Sequence, residues 1–192
     1  KTFNVLPPHH TFGSTVNFVG HFAQGSTIYI SSGIKYIGEE MREQKPSHLV
    51  LVPLFVEAMY KRVWKEAEKS GKADTLRSMI KISNLLRKCG IDLRRVFFKK
   101  VLDSFGGKLE LIICGGAHLN QDIIDFFDSI GITVLNGYGI TECSPLISCN
   151  RNKYQKKGSV GIPIVGLQVK IKDPDENGEG EICVKGPNVM LG

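Results

Sequence analysis

Short apolar runs that stop abruptly constrain this chain more than any other feature of its sequence. "STIYI" (Ser26 to Ile30), "HLVLVP" (His48 to Pro53), "KLELIICGG" (Lys108 to Gly116) and "ITVLNGYG" (Ile132 to Gly139) are each followed by a loop or turn. Runs this short and β-branched read as strands. Between them the apolar residues fall at helical spacing, most plainly at Met59, Val63 and Ala67 in a pattern from Phe55 to Lys69. Further helices are expected over Phe12–Gln24, Ile34–Gln44, Thr75–Lys88, Leu93–Phe105 and Asn120–Ser129, with Asp74 capping the third and Gly90 closing it. Strands that alternate with helices imply parallel pairing through helical crossovers, an open α/β sheet.

After about Asn150 the pattern changes. "NRNKYQKKG" is polar and basic, and "GLQVKIKDPDENGEGEICVKG" alternates apolar and polar residues about a Pro-Asp-Glu-Asn-Gly turn. That is a hairpin with Gln168, Lys170 and Lys172 on one face and Val169 and Ile171 on the other. The expected organisation is an α/β unit over residues 1–150, then a linker and the start of a small antiparallel β-barrel over residues 151–192.

Composition removes several function classes. With 192 residues, 42% of them apolar, the chain can bury a core without disulfides. Its five cysteines have no CxxC spacing, which argues against a disulfide framework or zinc site and for a reducing, cytoplasmic setting. No stretch has the ~18–20 apolar residues of a membrane span. The net charge of +6 is spread over weak clusters (Lys61-Arg62, Arg94-Arg95, Lys99-Lys100, Lys153–Lys157) with little aromatic interleaving, so no nucleic-acid partner is expected. The chain starts at Lys1-Thr-Phe-Asn without an initiator Met and stops as abruptly at "GPNVMLG", so a piece of a longer protein is expected.

Ligands of open α/β sheets bind beyond the carboxyl ends of the strands. Two such ends are glycine-rich here, Cys114-Gly115-Gly116-Ala117 and Asn136-Gly137-Tyr138-Gly139. Tyr138 between two glycines offers a bare ring face to a heteroaromatic base. Thr141 offers a hydroxyl to a phosphate oxygen, and Glu142 a carboxylate to Mg²⁺. Partners for base, phosphate and metal therefore lie within five residues of sequence, Tyr138 to Glu142. Each residue alone also has a plain structural reading, a packed tyrosine or a helix-start glutamate.

"GYGITECSP", preceded by "IICGGAHL", resembles the adenylate-forming superfamily of acyl-CoA synthetases, and most closely its long-chain fatty-acid–CoA ligases. "LPPHHTFG", "GSVGIPIVGLQVKI" and "GEGEICVKGPNVMLG" resemble further motifs of that family in the right order, so the resemblance covers essentially the whole chain. His118 stands where many relatives carry proline, and Cys143 where many carry Thr, Ala or Met, so both depart from the common pattern.

The resemblance implies that Tyr138 stacks on adenine, that Thr141 contacts phosphate and that Glu142 binds Mg²⁺. Gly115, Gly116 and Ala117 would line the nucleotide and acyl groove, Gly137 and Gly139 would shape the turn, and His10 would stand by the carboxylate. The implied substrates are ATP, a fatty acid and CoA. The resemblance is compatible with a homodimer and with peripheral membrane association of the longer protein. No Ser/Thr/Gly-rich loop with Pro-Lys-Gly occurs in this sequence, so the phosphate loop, the ribose-binding Asp and the adenylation Lys are expected outside it, and this piece alone is expected to be inactive. Two alternatives stay open: a ligase of the same superfamily for aromatic, short-chain or amino acids, and a non-catalytic nucleotide-binding module.

Overall fold

The computed structural model describes residues 1–151 and 154–192; Asn152 and Lys153, the latter from the basic cluster, lie outside the described residues. The main element is a seven-stranded sheet in the order β2-β1-β3-β4-β5-β6-β7. Its parallel part comprises β1 (Thr2–Asn4), β2 (Ile28–Ile30), β3 (His48–Leu51), β4 (Leu111–Cys114) and β5 (Thr133–Gly139). β6 (Leu146–Cys149) and β7 (Ile162–Pro163) extend it antiparallel. β8 (Gln168–Lys172) and β9 (Glu181–Lys185) form a separate antiparallel ribbon, with Val169 opposite Val184 and Ile171 opposite Ile182. The architecture is thus the open, mostly parallel α/β sheet that the alternation of elements implies.

Parallel neighbours point to the same face, so the registers sort the sheet into two sides. On one side Phe3, Leu49, Leu51, Ile112, Cys114 and Val134 pack into a single apolar cluster. The helices covering it are α2 (Ile37–Gln44), α3 (Pro53–Lys69), α4 (Ala73–Lys88), α6 (Lys99–Asp103) and α7 (Gln121–Ser129), which contribute Met41, Val56, Leu76, Leu102 and Phe127. α3 starts at Pro53, where the missing N–H costs nothing. α4 ends in a glycine-closed turn, with the Ile91 N–H on the Leu86 carbonyl and Gly90 at φ 81°. Asp74 does not cap α4: it lies in the first turn and pairs with Arg77 at 2.8 Å. The helix expected over Leu93–Phe105 is broken into α5 (Arg94–Phe97) and α6, because Phe98, 1% exposed, turns into the core between them.

Among the described residues the other side carries a single helical segment, π-helical over Phe12–Val19 and α-helical in α1 (Gly20–Ala23). It is held by polar contacts as well as by the Phe12 ring over Gly115. Buried Asn17 donates to the Asn4 side chain and accepts from the Thr2 hydroxyl. The chain leaves β1 across this face to β2, and leaves β3 across the opposite face to β4. The gap between β1 and β3 is therefore a topological switch point, where open α/β sheets place their ligands.

Candidate active site

At the carboxyl edge of the sheet, the loops after β1, β3, β4 and β5 come together because those strands are neighbours in that order. The loop after β1 is shaped by Asn4, whose side chain bonds both the N–H and the carbonyl of Leu6 at 3.0 Å. It brings His10 and Thr11 to the sequence-distant turn after β5. Thr11 Oγ1 stands 3.5 Å from Thr141 Oγ1, across 130 residues of chain. Two hydroxyls that close, on opposite rims, can both reach one phosphate oxygen.

His10 is exposed, and its Nδ1 accepts the Phe12 N–H at 3.1 Å. Since Nδ1 accepts, the neutral ring carries its proton on Nε2, which is left free to donate. His9 is exposed beside it.

The turn after β5 folds as one short 3₁₀ segment, Thr141–Cys143, with Thr141 and Glu142 exposed and Cys143 buried. It is braced from behind by the segment after β9. The Met190 N–H bonds the Glu142 carbonyl at 2.8 Å, and the Asn188 amide bonds the carbonyls of Cys143 and Leu146 at 2.6 and 2.9 Å. Gly139 has to be glycine for contact reasons, since any Cβ there would collide with the Pro145 carbonyl oxygen. The close return of the chain onto β5 thus depends on a missing side chain.

The Glu142 carboxylate has no hydrogen-bond or ion-pair partner among the described residues. It lies on the same turn as the Thr141 hydroxyl and is a hard oxygen donor. Such a donor fits Mg²⁺, which takes one or two carboxylates together with substrate phosphates. No group of three or more His, Cys, Asp or Glu among the described residues could hold a metal by itself.

Tyr138 and Asn136 lie on the helical face of β5, in step with Val134, and both are partly buried. Asn136 lines a polar cavity of about 340 Å³ with Asn150, Gln121 and Asp125. Gly116 (φ 91°) and Ala117 are exposed on the neighbouring turn, and a side chain at Gly116 would touch Val52 at 3.6 Å. Gly115 is buried instead: the space its side chain would take is filled by the Phe12 ring and the Gly137 carbonyl. It therefore packs the first helical segment onto the sheet. Sequence reading missed Thr11 and Asn136; the first needed the strand order, the second only the two-residue period of β5.

Below this edge, between the first helical segment and the sheet, lies a second cavity of about 430 Å³. It begins at Ser144 and Leu146, directly after the Thr141–Cys143 turn, runs over Ile113 and Leu111, and reaches His21 and His48. Leu111 and His48 open their strands, so this end lies at the amino edge of the sheet.

The two cysteines nearest the site are poor nucleophiles. Burial pushes the Cys114 thiol up to about 12 and raises that of Cys143 as well. Neither supplies a thiolate near neutral pH.

The family described as AMP-binding enzyme matches residues 1–192. Long-chain-fatty-acid–CoA ligase 6 of Rattus norvegicus is 30% identical over 202 residues, which are 99% of this chain and 29% of the relative. Long-chain-fatty-acid–CoA ligase 5 of the same organism is 31% identical over 204 residues, covering 100% of this chain and 30% of the relative. This chain therefore spans about 30% of the length of the curated relatives it matches. In fold it is similar to the anthranilate CoA ligase AuaEII solved with anthranoyl-AMP, at a TM-score of 0.66 and 16% identity over 98% of this chain and 31% of that one.

Proposed function

Because the chain belongs to the AMP-binding enzyme family, we propose that it supplies the central part of an ATP-dependent ligase that activates a long-chain fatty acid as acyl-adenylate and passes the acyl group to CoA. The observation that carries this reading is the arrangement at one edge of the sheet. A turn bearing a hydroxyl and an unpaired carboxylate stands where a mainly apolar cavity begins. Phosphates and metal would occupy the turn, and the acyl chain the cavity.

In the first step the acid's carboxylate attacks the α-phosphorus of ATP, and pyrophosphate leaves. The ring of Tyr138 holds adenine, and the hydroxyls of Thr141 and Thr11 donate to phosphate oxygens. Nε2–H of His10 donates to the carboxylate as it approaches. Glu142 and the phosphates would hold Mg²⁺, which would supply positive charge against the phosphate oxygens. In the second step the thiol of CoA attacks the acyl carbonyl and AMP leaves. Phosphoryl chemistry of this kind needs positioning and charge compensation rather than a protein nucleophile. The raised thiols of Cys114 and Cys143 are consistent with that.

The test is ATP–pyrophosphate exchange by the full-length protein with long-chain, short-chain, aromatic and amino acids. Exchange should require a long-chain acid and fall roughly a hundredfold to a thousandfold in Glu142→Ala. Exchange with a different acid would keep the chemistry and move the substrate. A folded protein that exchanges with no acid would leave a binding module.

A further inference from the structure

The cavity on the Phe12–Ala23 side is mainly apolar, with Thr15, Gln24, Ser144 and Asn188 as uncharged polar lining. Val16, Ile113 and Leu111 also line it, and His21 and His48 close on it at the amino edge of the sheet. Their ring centroids are 6.4 Å apart. A cavity shaped only for an alkyl chain has no use for two imidazoles at its far end, since a polar group without a partner costs free energy when an apolar ligand covers it.

The hydrogen bonds fix what these rings offer. His21 is 8% exposed, and its Nδ1 lies 3.2 Å from the Val16 carbonyl oxygen. A carbonyl only accepts, so Nδ1 carries the proton and Nε2 of the neutral ring keeps a lone pair. Nδ1 of His48 lies 2.9 Å from Ser47 Oγ, which also stands 3.2 Å from the Lys1 carbonyl oxygen and can give its one proton to either. Nε2 of His48 therefore carries a lone pair when the hydroxyl points to Lys1 and a proton when it points to the ring. Burial holds His48 below its ordinary value, in keeping with a neutral ring. Neither Nε2 has a hydrogen-bond partner among the described residues. The end of the cavity thus offers an acceptor on His21 and, on His48, a nitrogen that can accept or donate.

We propose that His21 and His48 read the distal end of the acyl chain, and that the preferred acids carry a hydrogen-bond donor there, an ω-hydroxyl group being the simplest. This rests on the reading of the cavity as the acyl site. An ω-hydroxy acid of the right length gives its O–H to the His21 Nε2, and its oxygen can accept from the His48 ring; a methyl end leaves both nitrogens dry and unpaired. An ω-carboxylate has no proton to give to the His21 Nε2, so it is not favoured. His21 and His48 act on the choice of acid, not on the adenylation chemistry at the opposite edge of the sheet.

The experiment is ATP–pyrophosphate exchange by the full-length protein with matched alkanoic and ω-hydroxyalkanoic acids over a series of chain lengths. At the length that spans the cavity, kcat/KM for the hydroxy acid should exceed that for its alkanoic partner about tenfold, the worth of one buried hydrogen bond. His48→Leu and His21→Leu should each lower that ratio, to one or below in the double variant, whereas His48→Gln, which keeps an acceptor, should preserve it. Thermal melts confirm that each variant is folded. Alkanoic acids preferred at every length, or a hydroxy preference that survives both leucine substitutions, would overturn this inference and leave the ligase reading intact. No exchange with any acid would overturn both.

Discussion

Ile112 and Ile113 are consecutive residues of one strand, yet they serve different ends. Ile112 is fully buried and packs with Leu49, Val134 and the helices of the apolar cluster. Ile113, one residue on, points to the opposite face and lines the cavity that runs from Ser144 to the two histidines. The same alternation holds along β3 and β5: Leu49, Leu51 and Val134 are in the cluster, while His48 is on the cavity side. Among the described residues, one face of the sheet is covered by five helices and the other by one segment tied down through Asn17.

Paired truncations give the sharpest contrast. Ile112→Ala should cost about 2–5 kcal/mol in urea unfolding, the usual toll of a cavity in a close-packed core. Ile113→Ala, beside space that already exists, should cost less than half as much. Equal costs would mean that the two faces are packed alike.

A smaller loss is expected where the second face depends on polar contacts. Asn17→Ala removes the bonds to Thr2 and Asn4 beneath the first helical segment and should cost about 1–3 kcal/mol. It should also raise proteolysis of the His10–Thr11 loop, because Asn4 shapes that loop through Leu6. A variant with wild-type stability and wild-type cleavage would show that the apolar contacts of this segment suffice to hold it.

The smallest effect is an acid-side one on the helical face. Hydrogen bonding to Arg94, which also pairs with Asp128, lowers the Asp92 carboxyl from its ordinary 3.8 to about 2. A depressed carboxylate contributes stability above its unfolded value and loses it as the pH falls through the folded one. Asp92→Asn should therefore be less stable than wild type near neutral pH, with the difference closing between pH values of roughly 4 and 2. Asp92 is half exposed, so solvent screening keeps the difference small. A gap that persists at the acid end would point to a contact other than the charge.

Part of this division could be read from the chain before any coordinates. The apolar runs place β2 to β5, but Leu111 to Cys114 are all apolar, so the sequence does not say which of Ile112 and Ile113 faces the core. The strand β1 could not be read, because its three residues, Thr2–Asn4, include two whose polar side chains are buried against Asn17. A pattern of apolar residues gives no sign of such a strand. Asn17 was hidden for the same reason, as a polar residue in a segment that reads as a plain apolar helix. β6 follows the Thr141–Cys143 turn so closely that its four residues read as loop, and Phe98 broke a helix that periodicity alone would continue. At the site, Tyr138, Thr141 and Glu142 are neighbours in sequence and so were legible as a group. Thr11 is brought to them only by the order β1-β3-β4-β5, which no local spacing encodes.

The most direct test of the division is to fill the cavity from the sheet side while leaving the turn untouched. In the full-length protein, Ile113→Trp should lower the ratio of ATP–pyrophosphate exchange with long-chain acids to that with short-chain acids by roughly a hundredfold. An unchanged ratio in a folded variant would contradict the account, because the acyl chain would then lie somewhere other than on the second face of this sheet.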